Sequence, residues 1–156
     1  MEKHQYNNKR KLDNLEEPII AFYSKNIANL GVSSIGSSKI NLTRKGISKK
    51  EIDNLMVFYA LDLEQISDIL KVSSRTLMRK DESMILNPHI SQQVIFLILL
   101  AQNGLKVFQN KIDFNDWLRT PLMAFGNKKP IDYLDTAFGI QEIINQLGRI
   151  EYGVYA

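Results

Sequence analysis

The sequence predicts an all-α fold: short capped helices, then one long helix, then a small helical unit at the C-terminal end. Three observations predict it. Apolar residues recur at the three- and four-residue spacing of a helix face in segment after segment. Ser, Asp and Asn stand just before several of these runs, where a side-chain oxygen accepts from first-turn amides. No segment alternates apolar and polar residues convincingly as a strand does, and there is no internal repeat.

Taken in order, residues 1–14 read as a polar tail rich in Asn and Lys. Glu16-Glu17-Pro18 opens a helix through Ile19, Ile20, Phe22, Tyr23, Ile27 and Leu30, which stops at Gly31. Residues 32–46 begin with the loop-like Val32–Ser38 and carry no assigned element. Ser48-Lys49-Lys50-Glu51 has the capping-box pattern, and Ile52, Leu55, Met56 and Tyr59 follow on one face. Asp62-Leu63-Glu64-Gln65 repeats the pattern ahead of Leu63, Ile66, Ile69 and Leu70. Ser73 caps a third short helix from Ser74 to about Lys80. Asn87-Pro88 starts a long helix with Ile90, Val94, Leu97, Ile98, Ala101, Leu105 and Phe108 along one side. Ile95, Phe96, Leu99 and Leu100 make its middle apolar all round, as suits a buried spine or part of a dimer interface. Asp113 caps a short helix bearing Phe114, Trp117 and Leu118, which Thr120-Pro121 ends. Pro130 starts another short helix through Ile131, Tyr133 and Leu134. A last helix carries Ile140, Ile143, Ile144, Leu147 and Ile150, with Gly153 as its stop and Val154-Tyr155-Ala156 as an apolar tail. The organisation is then 1–42 (unassigned), 43–86 (three short helices), 87–110 (connecting helix) and 111–156 (C-terminal unit).

Composition narrows the function. Apolar residues are 44% of 156, enough for an ordinary core. The absence of cysteine excludes disulfides and thiolate chemistry and fits a reducing cytoplasm. The N-terminal stretch lacks the apolar region of a secretion signal. The run Val94–Ala101 is far shorter than the roughly 20 residues of a membrane span, so a cytoplasmic protein without a membrane partner is expected. His4 and His89 are far apart, with no acid at ligand spacing, so no metal site is expected. Asp113 with Asp116, and Asp132 with Asp135, sit at first-turn positions rather than as catalytic pairs. No phosphate loop, nucleophile elbow or triad pattern is present, so neither an enzyme nor a cofactor is expected.

Residues 62–80 make the frame of a helix-turn-helix, with Asp62–Leu70 as brace and Ser73–Lys80 as reader. Val72 and Leu77 point inward, leaving Ser73, Ser74, Arg75, Thr76, Arg79 and Lys80 to face DNA. An Arg forks onto guanine O6 and N7, while Ser and Thr bond phosphates or base edges. The acid-free run Lys39, Arg44, Lys45, Lys49 and Lys50 offers further phosphate contacts. Residues 1–110 hold 15 Lys and Arg against 11 acids, and residues 111–156 hold 5 against 6. That imbalance is also what an ordinary solvated surface shows, and Asp81-Glu82 follows the cluster directly. Spacing alone leaves DNA binding and a plain three-helix bundle equally open.

A family resemblance tips the balance. Ser74–Lys80, after the Leu63–Leu70 helix, resembles the reader helix of Xre-like antitoxins. The second half is more specific. Val107-Phe108, Trp117-Leu118, Thr120-Pro121, Ala124-Phe125-Gly126, Pro130–Leu134, Thr136, Gly139 and Leu147–Ala156 together resemble the toxin-binding domain of Xre/MbcA/ParS antitoxins. The likeness runs over residues 43–156; Leu122, Asn127 and Lys129 depart from it, where the family commonly has Asn, Gly and a small or polar residue. It implies a type II toxin–antitoxin system whose partner is a RES-domain toxin that consumes NAD⁺. In related complexes the antitoxin's C-terminus lies over the toxin's active-site cleft, which makes Arg149, Glu151, Tyr152, Gly153, Val154, Tyr155 and Ala156 the expected toxin contacts. Paired DNA-binding domains then repress the operon, so a homodimer, a hetero-oligomer with toxin, and operator DNA as a ligand are expected. The residues themselves allow this, since a tail with two tyrosines can fill a partner's pocket and aromatic anchors dominate interface energetics. Taken without the resemblance, they favour the tyrosines packing on the chain's own core, as apolar helix ends usually do. The alternatives are a stand-alone helix-turn-helix repressor, phage or chromosomal, and a protein-interaction module whose helix-turn-helix does not bind DNA.

Overall fold

The computed structural model describes residues 18–28, 35–78, 81 and 83–153. Helix α1 (18–23) passes into a π-helical turn, Ser24–Ala28. Then come α2 (Ile35–Lys45), α3 (Lys50–Tyr59), α4 (Leu63–Leu70), α5 (Ser74–Leu77), α6 (Pro88–Phe108) and α7 (Lys111–Arg119). Two 3₁₀ turns, Met123–Phe125 and Pro130–Tyr133, lead to α8 (Ala137–Glu151). Among the described residues, extended pairing is limited to two isolated bridges, Ser48 with Ile85 and Leu122 with Lys128. The fold is all-α, as expected.

Helix α6 is the axis of the molecule, with α2, α3, α4, α7 and α8 packed around it. Val94, Ile95, Leu97, Ile98, Leu100 and Ala101 are buried on it, the larger of them worth roughly 1.5–3 kcal/mol each by removal from water. By length and hydropathy α6 is long enough to cross a bilayer, more than its central apolar run suggested. Its apolar surface is instead taken up by the surrounding helices. Two polar ties fasten it: Tyr59 Oη donates to Leu97 O at 2.7 Å, and Gln93 Nε2 donates to Leu134 O at 2.7 Å. Where α7 crosses α6, Gly104 is required, because a Cβ there would come within 2.5 Å of the Phe114 ring.

Three expected caps form. Asp62 and Gln65 make a complete reciprocal box, Ser73 accepts from Thr76 N, and Asn87 accepts from Ile90 N ahead of Pro88. Two others differ. Ser48 does not cap α3; the helix begins after Lys49, whose own backbone is already helical and whose side chain makes no cap. Long-range pairing explains this, since Lys49 N donates to Met84 O and Leu86 N to Ile47 O, holding residues 47–49 against 84–86. Buried Ser91 reinforces that pairing, its hydroxyl accepting from Ile47 N and donating to Leu86 O. Helix α7 is capped by Asn110, three residues before the expected Asp113. Asp113 N donates to Asn110 Oδ1 and the Asp113 carboxylate accepts from Asn110 Nδ2, so Asp113 is the reciprocal partner rather than the cap.

Helix α2 lies inside the stretch that carried no sequence assignment. Gly36, Ser37 and Ser38 are poor helix formers, but packing of α2 on α6 overrides local propensity. It ends at Gly46, whose φ of +81° and contact with Leu86 O leave no room for a side chain. Helix α5 is shorter than expected, ending at Leu77; Arg79 and Lys80 lie outside the described residues, as do Leu30 and Gly31.

Burial pushes the Tyr59 phenol well above its ordinary 10.0. In the unfolded chain this group ionises near its ordinary value, whereas the folded chain keeps the proton, so stability falls as pH rises above about 10. Thermal melts between roughly pH 9 and 11 are expected to show the decline, with a shallower slope for Tyr59→Phe. An identical slope in the variant would contradict this.

Candidate functional site

Two surfaces carry the residues singled out by sequence. The first is the α4–α5 pair. Leu77 is buried and Val72 partly so, which seats α5 on the core as expected. Ser73 and Arg75 are exposed, and Ser74 and Thr76 partly exposed. The Ser73 hydroxyl is engaged by Thr76 N at 3.2 Å and by Thr76 Oγ1 at 2.8 Å. These two side chains therefore shape the turn first, and Arg75 is the described cation presented by α5.

The acid-free basic run does not form one patch. Lys49 is only 6% exposed, and its ammonium pairs with Asp53 at 3.3 Å. Lys39 and Arg44 line a groove between α2, α6 and α8 with Ile40, Phe96, Leu99 and Ile144. Lys45 and Lys50 remain exposed.

The second surface is where α8 ends against α6. A shallow groove of about 490 Å³ is lined by Asn103, Lys106, Ile144, Asn145, Gly148, Arg149, Glu151 and Tyr152. Ile140, Ile143 and Leu147 anchor α8 to the core on its other face. Tyr152 terminates the helix, its N–H donating to Gly148 O and that of Gly153 to Ile150 O, while the Tyr152 side chain is 76% exposed. Gly153 takes a left-handed φ of +67°, suited to a helix stop. Arg149 donates to Gln146 Oε1 at 3.1 Å and lies 3.8 Å from the Glu142 carboxylate. Glu151 pairs with Lys106 at 2.7 Å, and that hydrogen bond raises the Lys106 pKa. Lys106 and Asn103 escaped sequence reasoning because their relation to α8 exists only across the groove. Val154, Tyr155 and Ala156 lie outside the described residues.

Gly148 stands out in this groove. A glycine within a helix costs about 1 kcal/mol relative to Ala. Gly104 and Gly46 are explained by close neighbours, but a Cβ on Gly148 would meet nothing within 4 Å. Nothing in the described fold needs the space it leaves. Among the described residues no group of three or more His, Asp or Glu side chains is placed to hold a metal ion.

Comparison with known proteins converges on the same region. Residues 104–153 match the family described as the antitoxin Xre/MbcA/ParS C-terminal toxin-binding domain. Over 126 residues the chain is 23% identical to Antitoxin Xre of Yersinia enterocolitica (serotype O:8, biotype 1B), spanning 80% of this chain and 85% of that one. It is 24% identical over 128 residues to the Prs ADP-ribosylating antitoxin of Sphingobium sp. strain YBL2, spanning 76% and 80%. Its fold is similar to a chain in the crystal structure of the M. tuberculosis MbcT–MbcA toxin–antitoxin complex. The TM-score is 0.53 at 20% identity, covering 69% of this chain and 96% of that one. The family match opens at Gly104, where α7 packs onto α6, and closes at Gly153, where α8 stops. Residues 104–153 thus match the Xre/MbcA/ParS toxin-binding domain, and over most of its length the chain is similar to proteins described as antitoxins.

Proposed function

We propose that this antitoxin inhibits a cognate RES-domain toxin, one that consumes NAD⁺, by laying the end of α8 and the residues after it over the toxin's active site. The observation that carries this reading is the pairing of Tyr152, exposed at the groove edge, with a helical glycine whose empty space no neighbour in its own chain uses. An exposed aromatic next to a backbone laid bare by glycine suits close approach by another protein. The Sphingobium relative's name refers to ADP-ribosylation, a chemistry that draws on NAD⁺. Arg149, Glu151, Tyr152, Gly153, Val154, Tyr155 and Ala156 make the contacts, with Lys106 holding Glu151 in place. Residues 43–86 read the operator through α5 and repress the operon, and residues 111–156 hold the toxin. The protein works in the cytoplasm as a homodimer that joins toxin in a hetero-oligomer, an assembly that light scattering of the complex measures.

Co-expression with the product of the adjacent gene tests the central claim. Growth and the NAD⁺ pool are expected to recover together; an NAD⁺ pool that the toxin never lowers rules out this toxin class. Gly148→Ala separates partner binding from folding. It is expected to stabilise the free protein by about 1 kcal/mol, because Ala suits a helix interior better than Gly. The added methyl is expected to weaken toxin binding at the same time. A variant that is more stable and neutralises fully would show that the groove is not the contact.

For the operator, Arg75→Ala is expected to cost about 1–3 kcal/mol and relax base preference if Arg75 reads a base. Binding that ignores salt would remove DNA from the reading. Operator binding without any neutralisation would leave a stand-alone repressor.

A further inference from the structure

The brace helix α4 is bounded at both ends by left-handed residues that are not glycine. Ala60 precedes it at φ 50°, ψ 50°, and Lys71 follows it at φ 54°, ψ 41°. Such a conformation is strained for a non-glycine residue and persists where surrounding contacts hold it. Here the C-terminal unit supplies the contacts at both ends.

At the first end, the last carbonyls of α3 lack partners within their helix. Met56 O accepts from Leu61 N at 2.9 Å. The next ones are met by side chains of α7: Asn115 Nδ2 donates to Phe58 O at 2.8 Å, and Arg119 Nη2 to Tyr59 O at 2.6 Å and Ala60 O at 3.3 Å. Asn115 is itself fixed, being 9% exposed, with Nδ2 also donating to Lys111 O and Oδ1 accepting from Arg119 Nη1 at 3.0 Å. A guanidinium at a helix C-terminus also meets the negative end of the helix dipole. At the other end, Lys71 pairs with Asp135 at 3.3 Å. That pair is exposed and adds little by itself, so the grip rests chiefly on Arg119.

We infer that Asn115 and Arg119 are positioning residues for DNA reading: a capping clamp supplied by α7 that sets the angle at which α4 presents α5. This rests on the proposal that α5 reads the operator. Helix α5 is a single turn packed chiefly on α4, so the orientation of α4 is the orientation of the reader. Loss of the clamp frees Ala60 to leave its left-handed state and lets α4 swing, while α5 keeps its own residues and charge.

The test compares binding of full-length protein to the DNA upstream of its coding region with binding to unrelated duplex of equal length. Specific complexes are commonly about 10³–10⁷ tighter than non-specific ones, and a misdirected reader loses that ratio while keeping the phosphate attraction. Arg119→Ala is expected to lower the ratio about tenfold and leave binding to unrelated duplex within about twofold. Arg119→Lys, which keeps one cation within reach of the carbonyls, is expected to restore part of the ratio. Should Arg119→Ala fail to fold, the double variant Ala60→Gly with Lys71→Gly loosens the same two hinges without touching α7 and is expected to lower the ratio as well. A folded Arg119→Ala protein with an unchanged ratio, or an unchanged ratio in the double glycine variant, overturns the clamp. Wild-type protein that never distinguishes the two duplexes overturns instead the assignment of α5 as a reader, and the clamp's role with it.

Discussion

An antitoxin that ends at Glu151, without Tyr152–Ala156, is expected to remain folded and to lose neutralisation. Among the described residues, the side chains that anchor α8 to the core lie before the deleted stretch. Ile140, Ile143 and Leu147 stay buried, and Glu151 keeps its ion pair with Lys106. The truncation removes the bonds from Tyr152 N to Gly148 O and from Gly153 N to Ile150 O and frays the last turn, a surface change worth about 0.5–1 kcal/mol of stability. For the partner the loss is larger. Tyr152 is an exposed aromatic, and central aromatic anchors of an interface cost 2 kcal/mol or more when removed, about 30-fold in affinity each. Two tyrosines go together in this truncation. The measurements are a melting curve, the affinity of a pull-down pair, and growth under toxin induction. A folded truncated protein that protects cells as well as wild type would remove the plug from the mechanism.

The largest expected effect on folding is Phe114→Ala. Phe114 has 0% exposure, and its ring centroid lies 6.3 Å from Phe58, 6.2 Å from Tyr59, 6.0 Å from Phe108 and 6.3 Å from Trp117. It is the point where α3, α6 and α7 meet. Removing a fully buried phenyl costs about 3–5 kcal/mol, through lost transfer energy and the cavity left behind. Domains hold only about 5–15 kcal/mol in total, so a fall in melting temperature of roughly 10 °C or more is expected. Because the ring joins the α3 side to the α7 side, operator binding and toxin binding are expected to fail together as temperature rises. A cost below about 1 kcal/mol in urea unfolding would show that the neighbouring rings close over the gap.

How much was legible in advance follows from distance along the chain. Asp62, Ser73 and Asn87 were readable as caps because each bonds an amide three residues away. Ser48 carried the same kind of local signal and lost to pairing with residues 84–86, which no window around it displays. Asp113 was one half of a genuine reciprocal pair; the other half, Asn110, was the cap. Helix α2 was missed because Gly36 and the serines argue against a helix, and only its seat on α6 argues for one. At the C-terminal site, the family pattern named Arg149, Glu151 and Tyr152, but not Lys106, which reaches Glu151 from another helix. Just before α3, Lys49 looked free for phosphate and turned out to be buried against Asp53.

By itself the sequence determined the helical character, most helix starts and the kinship of residues 107–156, because periodicity, local caps and motif order are all properties of the linear chain. The tertiary structure decided the rest. It selected which charged groups stay available, and why Gly104 is needed inside the fold while Gly148 is not. It also set Arg119 on carbonyls 59 and 60 positions earlier. Those outcomes depend on desolvation and on hydrogen bonds between distant segments, whose free energy exists only once the chain has closed around α6.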